Sequence, residues 1–525
     1  MKKIIFSLFC VLSLASCDNY LDVNGDQTNS PFTNQLLPNN KLAGALSGFQ
    51  IGQVYYTHNF GDKMSYTYGI NFGFTTNDAA YYYNNFTSSS YSTIWDHLYL
   101  TADNFQDIID DEAKNPEFAY HYAISKAFKV MAMDYVISLY GDAPYSEAFA
   151  GLNNPYPKYD DDKQIYIKLL ADLDSARDNI INAPTNVKDL GSEDIVFAGD
   201  TSKWLKFINT LELKLLLRLS KTTDASLITL RTNRFANLPN DFITEDVAVN
   251  PGYNNSTATQ YSPLCRLFGR NESNTAYTGS RNANAAGAFM NKVLGGTIND
   301  ANLTTGIVDP RRARKFSGST GNDHGTFPTA TVSRLSLYVS GLIDSNGTIT
   351  GGTLDECVEN GTSRDSYIML AAESSFLQAE AMQRGYLAGG SGAAKIAFEQ
   401  GIIYSFAFYS KKVGTYTPSI LNATSYITSI SSKNGLGWNG STDKISCIMT
   451  QKWLALSQWT GIEPYLDNLR TGYPVLPLPV GTTQPNRPYR LIYPNGEYSS
   501  NGTNVPAMTQ SDIFTNNSKT PFYYQ

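Results

Sequence analysis

Apolar residues recur at helical spacing along much of this chain, and that period limits what it can fold into. Ile124, Phe128, Met131, Tyr135 and Leu139 follow one another at steps of 4-3-4-4, and Ile165, Leu169, Leu173, Ala176 and Ile180 at 4-4-3-4. Trp204, Ile208, Leu211, Leu215 and Leu219 make a third stripe. Each spacing collects its residues on one helix face. A later pair reads as a helical hairpin. Ala372, Phe376, Ala379, Met382 and Tyr386 form one stripe, the turn Gly389-Gly390-Ser391-Gly392 follows, and Ala394, Ala397, Gly401, Tyr404 and Phe408 form the next. Small residues facing large ones is how tetratricopeptide-type (TPR-like) hairpins nest, although no fixed repeat period is kept. The expected fold is mainly α, a TPR-like helical hairpin scaffold packed against a loop-rich, irregular half.

The opening, MKKIIFSLFCVLSLASCDNY, constrains location. Its apolar run from Ile4 to Ser16 is shorter than the ~20 residues a membrane-spanning helix needs and ends at Cys17, where the chain turns polar. Two lysines, a short apolar centre and small residues before the cysteine predict a signal peptide over 1–16. Leu-Ala-Ser-Cys resembles the lipobox of bacterial lipoproteins, which makes Cys17 the expected lipidation site and 17–40 a tether. No later run offers a second anchor, so the domain 41–525 is expected to be anchored to a membrane without spanning it. Within it, TPR-like helices are expected at about 90–235 and 365–470. The loop-rich, ligand-binding half is expected at about 240–365 together with the Pro- and Gly-rich segment 471–525.

Charge and cysteine content exclude several classes. Forty basic against forty-seven acidic residues give −7 with no basic run, so no nucleic-acid footprint is present. Beyond Cys10 and Cys17 only Cys265, Cys357 and Cys447 remain, enough for at most one disulfide. His58, His97, His121 and His324 form no metal-binding spacing, and no C-x-x-C or G-x-S-x-G motif occurs. GLGWNG matches G-x-G-x-x-G by letters only, without the βαβ context that motif requires. We therefore expect no catalytic residue, no metal and no cofactor.

Six further stretches carry a resemblance. CDNYLDVN follows the lipobox. Leu139–Phe149 reads LYGDAPYSEAF, a turn after a helix in which Gly141 takes the left-handed position and Pro144 prevents resumption. Trp204–Ser220 reads WLKFINTLELKLLLRLS, and Asp309-Pro310-Arg311 stands alone. AAESSFLQAEAMQRGY contains Glu373 and Glu380, and QKWLALSQWTGIEPYLDNLRTGYPVL runs from Gln451 to Leu476. In that last stretch Asp467 and Arg470 are placed to pair on a helix. Together these resemble the SusD/RagB-like outer-membrane lipoproteins, in particular the SusD-like type 2 subgroup. Tyr465 stands where the family often has Trp, and Leu469-Arg470 where it has two arginines. The resemblance implies four TPR-like hairpins and a lipid-anchored protein on the extracellular face of the outer membrane. It also implies a non-catalytic lid over a SusC-like TonB-dependent transporter that captures oligosaccharide, or in some members peptide.

A sugar presents hydroxyls and an apolar C–H face, so its site needs an aromatic platform with planar polar partners. Thirty-five tyrosines in a charge-poor chain suit uncharged polar ligands. The first candidate is Asn77, Asp78, Tyr81, Tyr82, Tyr83 and Asn84, because three consecutive tyrosines cannot all face a core. The second is Arg270, Asn271 and Glu272 with Tyr277 and Arg281. The third is Trp438, whose flanking Gly437 and Gly440 suggest a loop tip. Trp95, Trp204, Trp453 and Trp459 fall in helical periods and are expected in the core.

Overall fold

The computed structural model describes residues 36–74, 79–271, 276–348 and 354–525. The expected signal peptide, Cys17, Asn77, Asp78 and Glu272 lie outside the described residues. The three stripes become helices Ala119–Tyr140, Asp162–Ile181 and Thr201–Arg218. Their starts are set locally. Asp161 accepts from the amide of Gln164, and Asp200 from those of Ser202 and Lys203, which satisfies orphan donors for about 1 kcal/mol per cap. The helix Ala119–Tyr140 stops at Gly141, whose φ of 72° suits glycine.

Helix Ala119–Tyr140 is the centre of the first core. Helices Pro38–Gly52, Ser92–Ile109, Asp162–Ile181 and Thr201–Arg218 contribute to the same cluster. Residues from the far end of the chain join it: Phe522, Tyr523 and Tyr524 are buried. The Tyr523 hydroxyl donates to Asp134 at 3.0 Å and the Phe522 amide to Asp162 at 3.0 Å. Helix Pro38–Gly52 passes directly into a π-helical turn, Gln53–His58, and on to Met64. There Gly52 lies against the His97 ring, where a Cβ would come within 1.8 Å.

The second core contains the hairpin of helices Ala371–Gln383 and Gly390–Phe408, with Lys444–Leu456 beside it. Gly401 meets the Phe376 ring, the small-against-large nesting expected of the pair. The reversal sits earlier than the glycine run suggests: the first helix ends at Gln383, Tyr386 lies in the turn, and Gly390 and Gly392 begin the second helix. Among the described residues only two small ribbons form. Tyr68–Ile70 pairs antiparallel with Asn284–Ala286, and Val247–Val249 with Ser366–Met369. No described helix is long and apolar enough to cross a membrane. Among the described residues Cys265, Cys357 and Cys447 are buried.

Buried ion pairs tie the two cores together. Lys214 reaches Glu373 and Glu463, each at 2.9 Å, and Arg218 reaches Glu463 at 3.0 Å and Asp134 at 3.2 Å. Arg470 joins Asp467 at 2.8 Å and Glu380, and Lys452 joins Asp467 at 2.7 Å. Burial alone would raise the Glu463 carboxyl, but Lys214, Arg218 and Lys452 hold it well below the usual carboxylate range.

Candidate functional site

The tyrosine run forms a five-residue helix, Ala79–Tyr83, which ends because Asn84 takes a positive φ of 55°. Successive side chains on a helix point about 100° apart, so the three rings divide. Tyr81 and Tyr82 are buried and Tyr83 is 39% exposed. Tyr81 meets the edge of His324 at 5.2 Å, and His324 stacks on Tyr66 at 3.8 Å with Arg487 above that ring at 4.8 Å. Burial, with Arg487 adding to it, pushes His324 down to about 3, so the imidazole is neutral and its Nε2 donates to the Tyr68 carbonyl at 2.7 Å. Asn84 is buried and donates to the Asn486 carbonyl at 3.3 Å. Tyr81, Tyr82 and Asn84 therefore form the base of the site, which corrects their reading as surface ligand contacts.

What the base presents outward is aromatic. Tyr83 lies 6.5 Å from Phe327, and Phe327, packed on Tyr82 at 5.3 Å, is 50% exposed. Phe72 and Phe74, just past strand Tyr68–Ile70, are 48% and 36% exposed. Asn322 joins these segments: it accepts from the Ile70 amide at 3.1 Å and donates to the Thr326 carbonyl, beside Phe327, at 2.8 Å. The exposed rings of Phe72 and Phe74 on one of these segments, and of Tyr83 and Phe327 on the other, offer flat apolar faces to a ligand.

The second candidate approaches the same edge from the partner strand. Arg270 and Tyr277 form a β-bridge, and the Ala276 amide donates to Asn271 Oδ1 at 3.1 Å. Thr278 caps the short helix Gly279–Ala283, which runs into strand Asn284–Ala286. Asn71, next to Phe72, donates its amide to the Ala283 carbonyl at 2.8 Å and its side chain to the Asn282 carbonyl at 3.0 Å. Arg270 and Tyr277 are half-buried, whereas Arg281 is buried and points inward, donating to Ser340 Oγ at 3.0 Å. Arg281 is thus a support beneath Tyr277 and not a surface group.

Trp438 is not part of this edge. It is 6% exposed and packs on Phe398 at 5.4 Å in the second core. Its glycine neighbours serve close packing and not a loop tip. A Cβ at Gly437 would stand 1.9 Å from the Ile430 carbonyl oxygen, and one at Gly440 2.2 Å from the Ser432 backbone. Trp95, Trp204, Trp453 and Trp459 are buried, as their helical periods predict.

Phe72, Phe74 and Phe327 were missed in the sequence. The available signal was the pattern Asn-Phe-Gly-Phe and the phenylalanine before Pro328, aromatic residues in turn-rich surroundings without a period to bury them. The motif residues, by contrast, are scaffold. Arg311 clasps Asp309 at 2.7 Å and reaches Gln451 at 2.8 Å, and Asp142 accepts from the Asp162 amide at 3.0 Å. Asp142, Asp161 and Asp162 are close enough to share an ion, but Lys163, Arg490 and Lys519 line the same 230 Å³ cleft, so its charge is mixed.

Comparison with protein families matches residues 45–494 to the SusD-like type 2 family, described as starch-binding and associating with the outer membrane. Among solved structures, the chain is similar to a SusD-like protein from Bacteroides thetaiotaomicron at 20% identity and TM-score 0.65, covering 89% of this chain and 94% of that one. It is similar to a SusD homologue from Bacteroides fragilis at 20% identity and TM-score 0.64, covering 90% and 94%. A chitin-binding SusD homologue from Flavobacterium johnsoniae matches at 20% identity and TM-score 0.65, covering 88% and 94%. At these identities the structural likeness speaks for the fold. No curated protein matches the sequence.

Proposed function

The chain belongs to the SusD-like family of starch-binding proteins associating with the outer membrane, and on that premise we propose that it captures oligosaccharide at the cell surface. In this reading Cys17 carries the lipid anchor and holds the domain on the extracellular face of the outer membrane. The protein performs no chemistry and hands its ligand to a SusC-like TonB-dependent transporter.

The observation that supports this best is the braced edge of Phe72, Phe74, Tyr83 and Phe327. Aromatic faces cover the C–H face of a pyranose, and the adjoining half-buried Arg270 and Tyr277 supply donors for hydroxyls. Each neutral hydrogen bond nets only about 0.5–1.5 kcal/mol, so affinity is expected to come from several rings and bonds acting together. Titration calorimetry against an oligosaccharide panel, with product analysis of each mixture, tests the proposal. The expected result is binding without ligand turnover. Replacing both Tyr83 and Phe327 by alanine should weaken it by roughly tenfold or more, about 1.4 kcal/mol, with thermal stability little changed. Unaltered affinity in that variant would move the site elsewhere. Release of shorter products would replace capture by catalysis, and binding confined to peptides would change the ligand class.

A further inference from the structure

The ring of Tyr277 lies between two guanidinium groups, with Arg270 Cζ 4.7 Å and Arg281 Cζ 5.0 Å from its centroid. A third, Arg334, stands close by, its backbone bridged to Ala285 in the strand that follows Arg281. Among the described residues, the charges acting on Arg281 come chiefly from Tyr277, Arg334, Arg270 and Cys265, which include no carboxylate. Burial first, and then repulsion from Arg334 and Arg270, bring it down to about 10, so it stays a cation at neutral pH. The Nε atoms of Arg281 and Arg334 are buried without a hydrogen-bond partner.

Of the other buried cations, Lys214, Arg218, Arg311 and Arg470 each touch at least one carboxylate, and Lys315, Arg487 and Arg490 donate to backbone carbonyls; none of these sits in a cluster of three guanidinium groups about one ring. Concentrated positive charge without compensation is costly inside a protein. It is also unexpected in a chain with net charge −7. Of the three, Arg281 is buried and Arg270 and Arg334 are half-buried, and no carboxylate among the described residues is within ion-pair distance of Arg270.

We propose that Arg270 and Tyr277 form a subsite for an acidic group, a carboxylate or sulfate, on the oligosaccharide that stacks against Phe72, Phe74, Tyr83 and Phe327. Arg281 and Arg334 act as fixed positive charges behind it. A guanidinium offers two parallel donors that match the two oxygens of either group. Tyr277, held between Arg270 and Arg281, keeps that fork in place. The inference rests on the capture reading and narrows it from uncharged sugars, which composition favours, to acidic ones.

Its test is a glycan array followed by calorimetry on the full chain. The panel pairs uronate-containing oligosaccharides with their methyl esters, and sulfated oligosaccharides with their unsulfated parents. At low salt an acidic member is expected to bind at least tenfold more tightly than its neutral partner, with the gap narrowing in 0.5 M salt. The type of pair that shows the gap distinguishes carboxylate from sulfate. Arg270→Gln should abolish the gap, costing the acidic partner at least tenfold more affinity than the neutral one with thermal stability unchanged, while Arg270→Lys should keep part of it. Equal binding of acidic and neutral partners overturns the inference and leaves the capture reading standing. Equal loss for both partners in Arg270→Gln overturns it as well, by making Arg270 structural. If no oligosaccharide binds, the capture reading falls and takes this inference with it.

Discussion

Replacing Lys214 by methionine keeps the length of the side chain and removes one buried charge. Its ammonium lies 2.9 Å from both Glu373 and Glu463. At an effective dielectric of about 20, each contact is worth roughly 6 kcal/mol of Coulomb attraction, most of it offset by the desolvation of the ions. Loss of Lys214 affects the two carboxylates differently. Glu463 keeps Arg218 at 3.0 Å and the Tyr135 hydroxyl at 2.8 Å, whereas Glu373 has no other described cation within 4 Å. Lys214→Met is therefore expected to cost about 3–5 kcal/mol, the usual effect of stranding one member of a buried pair. Glu373→Gln added to it should recover a large part, with a coupling energy of about 2 kcal/mol or more in the double-mutant cycle. The pH sign follows from Glu373, whose carboxyl burial raises above its ordinary 4.5. A raised carboxyl contributes stability that is present below about pH 4 and lost as pH rises through its folded value. Without Lys214 that value rises further, so the deficit should be smaller at pH 5 than at pH 8. Urea unfolding followed by tryptophan fluorescence measures these terms if the slopes agree. A single variant within 1 kcal/mol of the parent, or a double variant worse than the single, would refute the account.

Two further variants probe other parts of the molecule. Asp162 is raised from 3.8 to about 7, mainly by burial, so its contribution is present below about pH 4 and lost as pH rises through 7. Asp162→Asn should remove that slope and gain on the parent by about 2 kcal/mol or more between pH 4 and pH 8, and a difference flat in pH would count against it. Gly437→Ala should cost about 2–4 kcal/mol by denaturant titration, since its Cβ would meet the Ile430 carbonyl oxygen at 1.9 Å; parent-like stability would return Trp438 to a loop tip.

How far the sequence could be read depended on whether a residue's neighbours were local. The stripes at 124–139, 165–180 and 204–219 were legible because helical period is a local property. Lys214 and Arg218 looked like interruptions of an apolar run, since their partners Glu373 and Glu463 stand more than 150 residues away. Tyr83 was legible because a helix cannot turn three consecutive rings inward. Phe72, Phe74 and Phe327 were not, because exposure in irregular chain leaves no periodic trace. Trp438 was misread for a related reason. A glycine that opens a loop and one that lets two backbones touch look alike until the second backbone, here Ile430 to Lys433, is in view.

The plug formed by Phe522, Tyr523 and Tyr524 carries a consequence about timing. Asp134 waits for a hydroxyl 389 residues downstream, and Asp162 for an amide 360 residues downstream. An emerging polypeptide can wind its early helices, but it cannot seal the space between them until Phe522, Tyr523 and Tyr524 arrive. Long-range closure of this kind is slow. A thread delivered from its leading end therefore stays loose between these helices until residues 522–524 are in reach.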